Sequence, residues 1–166
     1  YHHAFLGGLL EHTLSVAKLG SNIAPLYPSL NKDLLICGII LHDIGKISEL
    51  CYEKSFHYSD EGQLIGHLIS GVLMVEEKAK QIDDFPKTLL DLLRHLILSH
   101  HGEYEWGSPK LPMTLEALTL HYLDNIDAKI HAFDKAISSD KDSSDNWTNY
   151  NRMLERKLFK KSHDYV

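Results

Sequence analysis

Histidine is the residue that most constrains this chain. There are 12 in 166 residues, and those with apolar neighbours fall in successive segments with helical patterning. His12 follows Leu9-Leu10, His42 follows Ile40-Leu41, and His67 lies between Ile65 and Leu68. His42-Asp43 and His100-His101 close two apolar runs, and Asp124 lies inside a third. A single histidine at the apolar edge of a helix is most simply a hydrogen-bonded core residue, and a single aspartate there a cap. Taken together these residues resist that explanation. Burying one unpaired ionisable group costs several kcal/mol, and five segments would each have to bear that cost. A shared cation reverses the balance, because imidazole nitrogens and carboxylate oxygens that converge on it are satisfied by it, and it ties the helices together.

The periodicity supports helices throughout. Residues 4–20 place Leu6, Leu9, Leu10, Leu14, Val16 and Ala17 at three- and four-residue spacings, the pattern of an amphipathic helix. Residues 21–31 carry Pro25 and Pro28 and read as a connection. Asn31 or Ser29 can cap a second helix from Lys32 to about Asp43, nearly continuous in apolar residues and so expected to be buried, with Gly45 placed to end it. Residues 51–60 lack a clear period and read as a loop. A third helix is expected over 62–80 with His67 inside it, and a fourth from Pro86 in its first turn to His100. Residues 102–112 read as a surface loop, and 114–138 as a fifth helix capped by Thr114. After a polar break, residues 147–161 are expected to form a short helix with a basic face. No stretch alternates long enough to argue a strand, and no repeat is visible. The fold class expected is all-α, a compact helical bundle with a metal centre between helices.

At this length the chain suits a single domain spanning 1–166. Hydrophobic residues make up 43% and charged residues 24%, ordinary for a globular protein. The longest apolar run, Leu34 to Leu41, is eight residues, against roughly 20 needed to cross a bilayer, so no membrane partner is expected. No basic-then-apolar segment suggests secretion. Two cysteines, Cys37 and Cys51, make no disulfide framework, and Cys37 sits in an apolar run as a small core residue would. A cytoplasmic location is the expectation. The formal net charge of −6 argues against binding nucleic acid through bulk electrostatics, so any polyanion must be held locally.

Nitrogen and oxygen ligands without thiolate suit Mn²⁺, Fe, Co²⁺, Ni²⁺ or Zn²⁺, with Mg²⁺ also admissible. The positions His12, His42, Asp43, His67, His100 and Asp124 exceed one tetrahedral shell, which fits one or two ions. Such a centre supports hydrolysis by acidifying water and neutralising phosphoryl charge. No serine or cysteine lies in a recognisable nucleophile elbow, and no glycine-rich phosphate loop follows a strand.

The ordered set His12, His42-Asp43, His67, His100-His101 and Asp124 resembles the HD superfamily of metal-dependent phosphohydrolases, and residues 42–46 match its HD-x-G-K signature. More specifically, Gly7-Gly8-Leu9-Leu10-Glu11-His12-Thr13, Gly66-His67, the run from Leu96 to Gly102 and the run from His121 to Lys129 resemble the YhaM-like 3′-to-5′ exoribonucleases. The resemblance implies that His12, His42, Asp43 and Asp124 ligate one metal. Asp43 would bridge to a second metal completed by His67, His100 and His101. Lys46 would face the substrate phosphate, with Asp43 and Lys46 as the catalytic pair. The resemblance also implies single-stranded RNA as substrate and an N-terminal OB-fold domain in the full-length protein. Gly107-Ser108-Pro109 after His100-His101 departs from the Gly-Tyr-Pro of the HD-GYP phosphodiesterases. A phosphohydrolase of small nucleotides and a metal-binding regulatory module without turnover stay open as alternatives, as does assembly into a homo-oligomer.

Other residues carry weaker expectations. His95 lies about 140° from His100 around the helix and reads as structural. His121 and Asp127 share a face with Asp124, so either can orient a ligand. Tyr104 and Trp106, with Tyr58, can stack on a base or simply cover helix ends. His2, His3, His57, His131 and His163 read as solvated or local. Arg152, Arg156, Lys157, Lys160 and Lys161 form a basic patch that is either a backbone-holding surface or a solvated face.

Overall fold

Helix starts and stops fall where local side chains satisfy the first free N–H groups or where a proline or glycine forbids continuation. The computed structural model describes residues 7–51, 57–140 and 145–163. Helix α1 spans Gly8–Ile23, three residues beyond the expected stop at Gly20. The breaker is Pro25, which lacks an N–H to continue the ladder and sits in a single 3-10 turn, Ala24–Leu26. Helix α2 (Lys32–Leu41) starts where the Asn31 side chain accepts the Leu34 N–H at 3.1 Å. One turn of helix, α3 (Lys46–Glu49), leads into the two-residue strand β1 (Leu50–Cys51). It pairs antiparallel with β2 (His57–Tyr58), a ladder too short to leave an alternating signature inside the expected loop.

Residues 62–80 do not form one helix. Helix α4 (Asp60–Leu64) starts where the Ser59 hydroxyl accepts the Gly62 N–H at 2.9 Å, and α5 spans His67–Ala79. Gly66 separates them at φ 77°, a left-handed conformation open to glycine at little cost. His67 therefore opens a helix instead of lying inside one. Helix α6 (Lys87–Ser99) begins immediately after Pro86. After a 3-10 turn at Tyr104–Trp106, α7 (Leu115–Ser138) starts where the Thr114 hydroxyl accepts the Ala117 N–H at 3.1 Å. The architecture is all-α.

The described residues up to Asn125 form one compact unit and those from Ile126 onward a second. In the first, α1 packs on α2, α2 on α6, α6 on α5 and α5 on α3. Val16, Leu35, Ile39, Leu96, Ile97 and Leu120 are fully buried at its centre, each contributing about 1.5–3 kcal/mol. The α2–α6 approach is close because a Cβ on Gly38 would lie 2.8 Å from Leu96 Cδ1. Helix α2 is not buried all round. Leu35 and Ile39 face the core, whereas Cys37, expected in the core, is exposed, as is Ile40. At 100° per residue Cys37 lies about 160° from both core residues.

The second unit corrects another expectation. Residues 147–161 do not form a basic helix: Trp147 pairs with Phe159 and Asn151 with Arg156 in antiparallel bridges, followed by a 3-10 turn at Lys160–His163. Local polar side chains compete with the helix ladder here. The Asn151 side chain accepts the N–H groups of Met153 at 2.9 Å and Leu154 at 3.1 Å, and the Thr148 hydroxyl accepts from Leu158 N–H at 2.9 Å. Glu155 turns the chain at φ 53°. The exposed Arg152, Arg156, Lys157 and Lys161 thus project from a hairpin-like loop, while Lys160 donates to the Asp140 carbonyl at 3.0 Å.

His95 has the structural part expected of it. Its Nε2 accepts the Met113 N–H at 2.9 Å, and burial, with the charge of Lys110, holds its pKa below the usual 6.5. Because the folded form prefers the neutral ring, this contact stabilises fully above pH 6.5 and is lost as pH falls below it. His95→Gln keeps an acceptor without a titration. The melting-temperature gap between wild type and this variant is expected to move against wild type as pH drops from 7 to 5; a gap independent of pH would contradict the assignment.

Candidate metal centre

Five elements of the first unit deliver the site. His12 projects from α1, His42 and Asp43 follow the end of α2, His67 opens α5, His100 and His101 follow α6, and Asp124 comes from α7. His12, His42, Asp43 and His100 are all buried. The Asp43 carboxylate divides the cluster. Its Oδ2 lies 3.4 Å from His42 Nε2 and 4.0 Å from His12 Nε2, and His12 Nε2 lies 3.1 Å from Asp124 Oδ1. Its Oδ1 faces the other way, 3.5 Å from His67 Nε2 and 3.6 Å from His100 Nε2. The His101 ring packs beside those of His100 and His67, at centroid distances of 4.5 and 5.3 Å. Lys46, three residues after Asp43 and one-third exposed, donates from Nζ to Asp43 Oδ2.

The histidine rings are oriented from behind. His42 Nδ1 lies 2.7 Å from the Ile39 carbonyl, His100 Nδ1 2.8 Å from the Ile97 carbonyl, and His101 Nδ1 3.1 Å from the Trp106 carbonyl. A carbonyl only accepts, so each Nδ1 carries the proton and the neutral ring turns its Nε2 lone pair inward. His12 Nε2 lies 3.3 Å from His42 Nε2 as well as 3.1 Å from Asp124 Oδ1.

Protonation preferences match metal ligation, which needs neutral imidazole and ionised carboxylate. Burial, with the neighbouring charge of His42, pushes His100 well below the usual imidazole range. Burial and His67 lower His101. Burial alone would raise Asp43, but the His42 imidazole, with Lys46 and His100, brings it well below the usual carboxylate range. Asp124 is likewise lowered, its burial offset by the His12 hydrogen bond and by His42 and His100. His42 stands apart: burial pulls it down, and the Asp43 carboxylate more than compensates, leaving it raised.

The donor set fits a divalent cation. Asp43 Oδ1 and His67 Nε2 are buried without a hydrogen-bond partner. Such orphaned groups are costly unless something else satisfies them. Three overlapping sets, His12/His42/Asp124, His42/Asp43/His100 and His67/His100/His101, each bring one donor atom per residue within 4.8 Å of the others.

The remaining expected residues fall as follows. His121 Nδ1 lies 2.9 Å from the His100 carbonyl, and its ring fills the space that a Cβ on Gly102 (φ +81°) would need. It therefore props the backbone that carries His100. Asp127 belongs to the second unit and is buried, its Oδ2 3.9 Å from His131 Nδ1. Tyr104 and Trp106 are exposed on the turn after His101. The side chain of Tyr58, and those of His2, His3, His57 and His163, lie outside the described side chains. Sequence reasoning missed Glu49. This carboxylate is buried and touches His67, with Oε2 3.2 Å from Nδ1 and Oε1 3.2 Å from the backbone N. A single-turn helix carries no periodicity from which its inward position could be inferred.

The chain belongs to the HD domain family, whose profile matches residues 9–129 and so covers His12 through Asp124. Among curated relatives, the 3′-5′ exoribonucleases YhaM of Bacillus licheniformis and Bacillus subtilis are each 48% identical over 136 residues, 82% of this chain and 43% of theirs. That of a Geobacillus species is 46% identical over the same length, 42% of its own. The chain thus spans less than half the length of these relatives. No solved structure matches it. Among the described residues no helix is long and apolar enough to cross a membrane.

Proposed function

We propose that this HD domain is the hydrolytic part of a metal-dependent 3′-to-5′ exoribonuclease acting on single-stranded RNA. The observation that carries the reading is Asp43, whose two oxygens face two separate histidine sets, with Oδ1 orphaned. Relatives named as exoribonucleases at 48% identity supply the substrate class. His12, His42, Asp43 and Asp124 would hold one ion, and Asp43, His67, His100 and His101 a second. Divalent cations held there supply Lewis acidity that acidifies water and neutralises charge on phosphoryl oxygens.

The chain's own groups do the rest. Asp43 stays ionised between the two halves. Lys46, one-third exposed beside Asp43, can turn its ammonium to a phosphoryl oxygen as charge builds there. Tyr104 and Trp106, exposed on the turn tied to His101, offer faces on which a terminal base stacks.

The test is digestion of 3′-labelled and 5′-labelled RNA by the Mn²⁺-supplemented protein, beside a panel of free nucleotides. Stepwise shortening from the 3′ end is expected. Turnover of a nucleotide with RNA untouched would move the assignment to a small-nucleotide phosphohydrolase, and no turnover with any divalent metal to a regulatory module. Metal should also stabilise the fold. At 100 times its dissociation constant an ion adds about 2.7 kcal/mol, or roughly 5–10 °C in melting temperature for a chain of this size. Equal melting of chelated and Mn²⁺-loaded protein would sink the metal reading.

A further inference from the structure

We propose that Glu49 is a positioning residue that fixes His67 in the tautomer whose Nε2 lone pair faces Asp43, making His67 competent to hold a cation. The inference rests on the metal reading of the centre. At His42, His100 and His101 a main-chain carbonyl accepts from Nδ1. His67 opens α5 directly after Gly66, and at this ring the buried carboxylate of Glu49 takes the same part. Its Oε2 lies 3.2 Å from Nδ1, and its Oε1 3.2 Å from the His67 backbone N and 3.3 Å from Nδ1. An ionised carboxylate only accepts, so Nδ1 carries the hydrogen and Nε2 is left with a lone pair. That Nε2 is one of two buried side-chain atoms without a hydrogen-bond partner among the described residues, 3.5 Å from the other, Asp43 Oδ1.

The carboxylate is held in place. The Glu49 carbonyl accepts the Ser59 N–H at 2.9 Å. A Cβ on Gly62 would come within 2.5 Å of the Glu49 carbonyl oxygen and 2.8 Å of its Cα and Cγ, so α4 closes on Glu49 from behind. A carboxylate behind a ligating imidazole fixes the ring and raises its basicity, and losing such a partner typically weakens metal binding about 10- to 100-fold.

Glu49→Gln separates this role from a helix cap. The amide has one acceptor oxygen for two donors. If it keeps the backbone N–H of His67, its NH₂ faces Nδ1 and draws the ring hydrogen to Nε2; if it keeps Nδ1–H, its NH₂ opposes the backbone donor. Long-range ¹H–¹⁵N spectra of the metal-free wild type are expected to show His67 protonated at Nδ1, and those of Glu49→Gln a shift towards Nε2. Titration with Co²⁺, followed by its visible absorption, is expected to give binding about 10- to 100-fold weaker at one site of the variant. Wild-type His67 protonated at Nε2, or a variant with unchanged tautomer and Co²⁺ affinity, would overturn the proposal. The wild-type spectrum decides even if the variant does not fold. A wild type that binds no Co²⁺ would instead overturn the metal reading itself.

Discussion

Asp43→Ala is expected to empty the centre of metal and abolish turnover together, whereas Lys46→Ala should keep its metal and lose rate. Among the described residues Asp43 is the one carboxylate whose oxygens face both halves of the cluster, at 3.4–3.6 Å from His42, His67 and His100. Its removal strips the shared ligand from both sets and takes away the charge that raises His42, leaving His12, His42 and Asp124 on one side and imidazoles alone on the other. Lys46 touches the same carboxylate, but an ammonium cannot ligate a cation. Losing one charge-stabilising contact typically costs about 2.7–4 kcal/mol, or roughly 100- to 1000-fold in rate. His67→Ala should fall between, emptying only the half completed by His100 and His101. Metal content and single-turnover RNA cleavage, measured on the same preparations, decide the matter. If Lys46→Ala and Asp43→Ala lost metal equally, both effects would be on folding and the division of roles would be wrong.

A second large effect is expected at Gly45, with opposite outcomes for two glycines on one interface. A Cβ at Gly45 would overlap the His67 carbonyl oxygen and lie within 2.7–2.8 Å of Gly71 N and His67 C. All three are backbone atoms that cannot rotate away, so Gly45→Ala must push the turn after Asp43 off the start of α5. Overpacking of this kind costs about 1–3 kcal/mol or more, and each kcal/mol lowers the melting temperature by roughly 2–4 °C at this size. The displacement also separates Asp43 from His67, so metal affinity should fall with stability. Across the same interface, a Cβ at Gly71 meets its nearest neighbours at 3.4–3.5 Å. Gly71→Ala, inside α5, should gain up to about 1 kcal/mol of helix propensity. Thermal melts of the two metal-free variants check the contrast, and similar destabilisation in both would refute the close approach at Gly45.

Much of this was legible because it depends on local chemistry. Asn31 and Thr114 cap helices through their own side chains, and a capping oxygen before an apolar period is visible in any sequence. Ser59, which caps the short α4 inside an expected loop, precedes no such period. The cluster was legible because buried ionisable groups on several segments need a common partner. What escaped depends on approach between segments or on competing local bonds. Gly66 interrupts an apolar period that runs on without it. Asn151 and Thr148 outbid a helix over 147–161, whose charge pattern alone suggested a basic face. Cys37 looked buried because composition in α2 is apolar on every side, and composition does not say which side meets α1 and α6. Glu49 sits on a single turn, and only the fold of α4 and α5 around it gives that carboxylate a partner.

Helices α2 and α6 both end at the centre, with His42 and His100 as their terminal caps. The C-terminus of a helix carries the equivalent of about half a negative charge, so two such ends and the carboxylates of Asp43 and Asp124 converge on one small volume. In that field a phosphodiester meets repulsion, in keeping with a chain of formal net charge −6. On the proposed reading, cations held between the two histidine sets would reverse the sign of the potential where a scissile phosphate would sit. Metal loading would then govern substrate attraction as well as chemistry, and the order of events would be built into the backbone: ion first, RNA second.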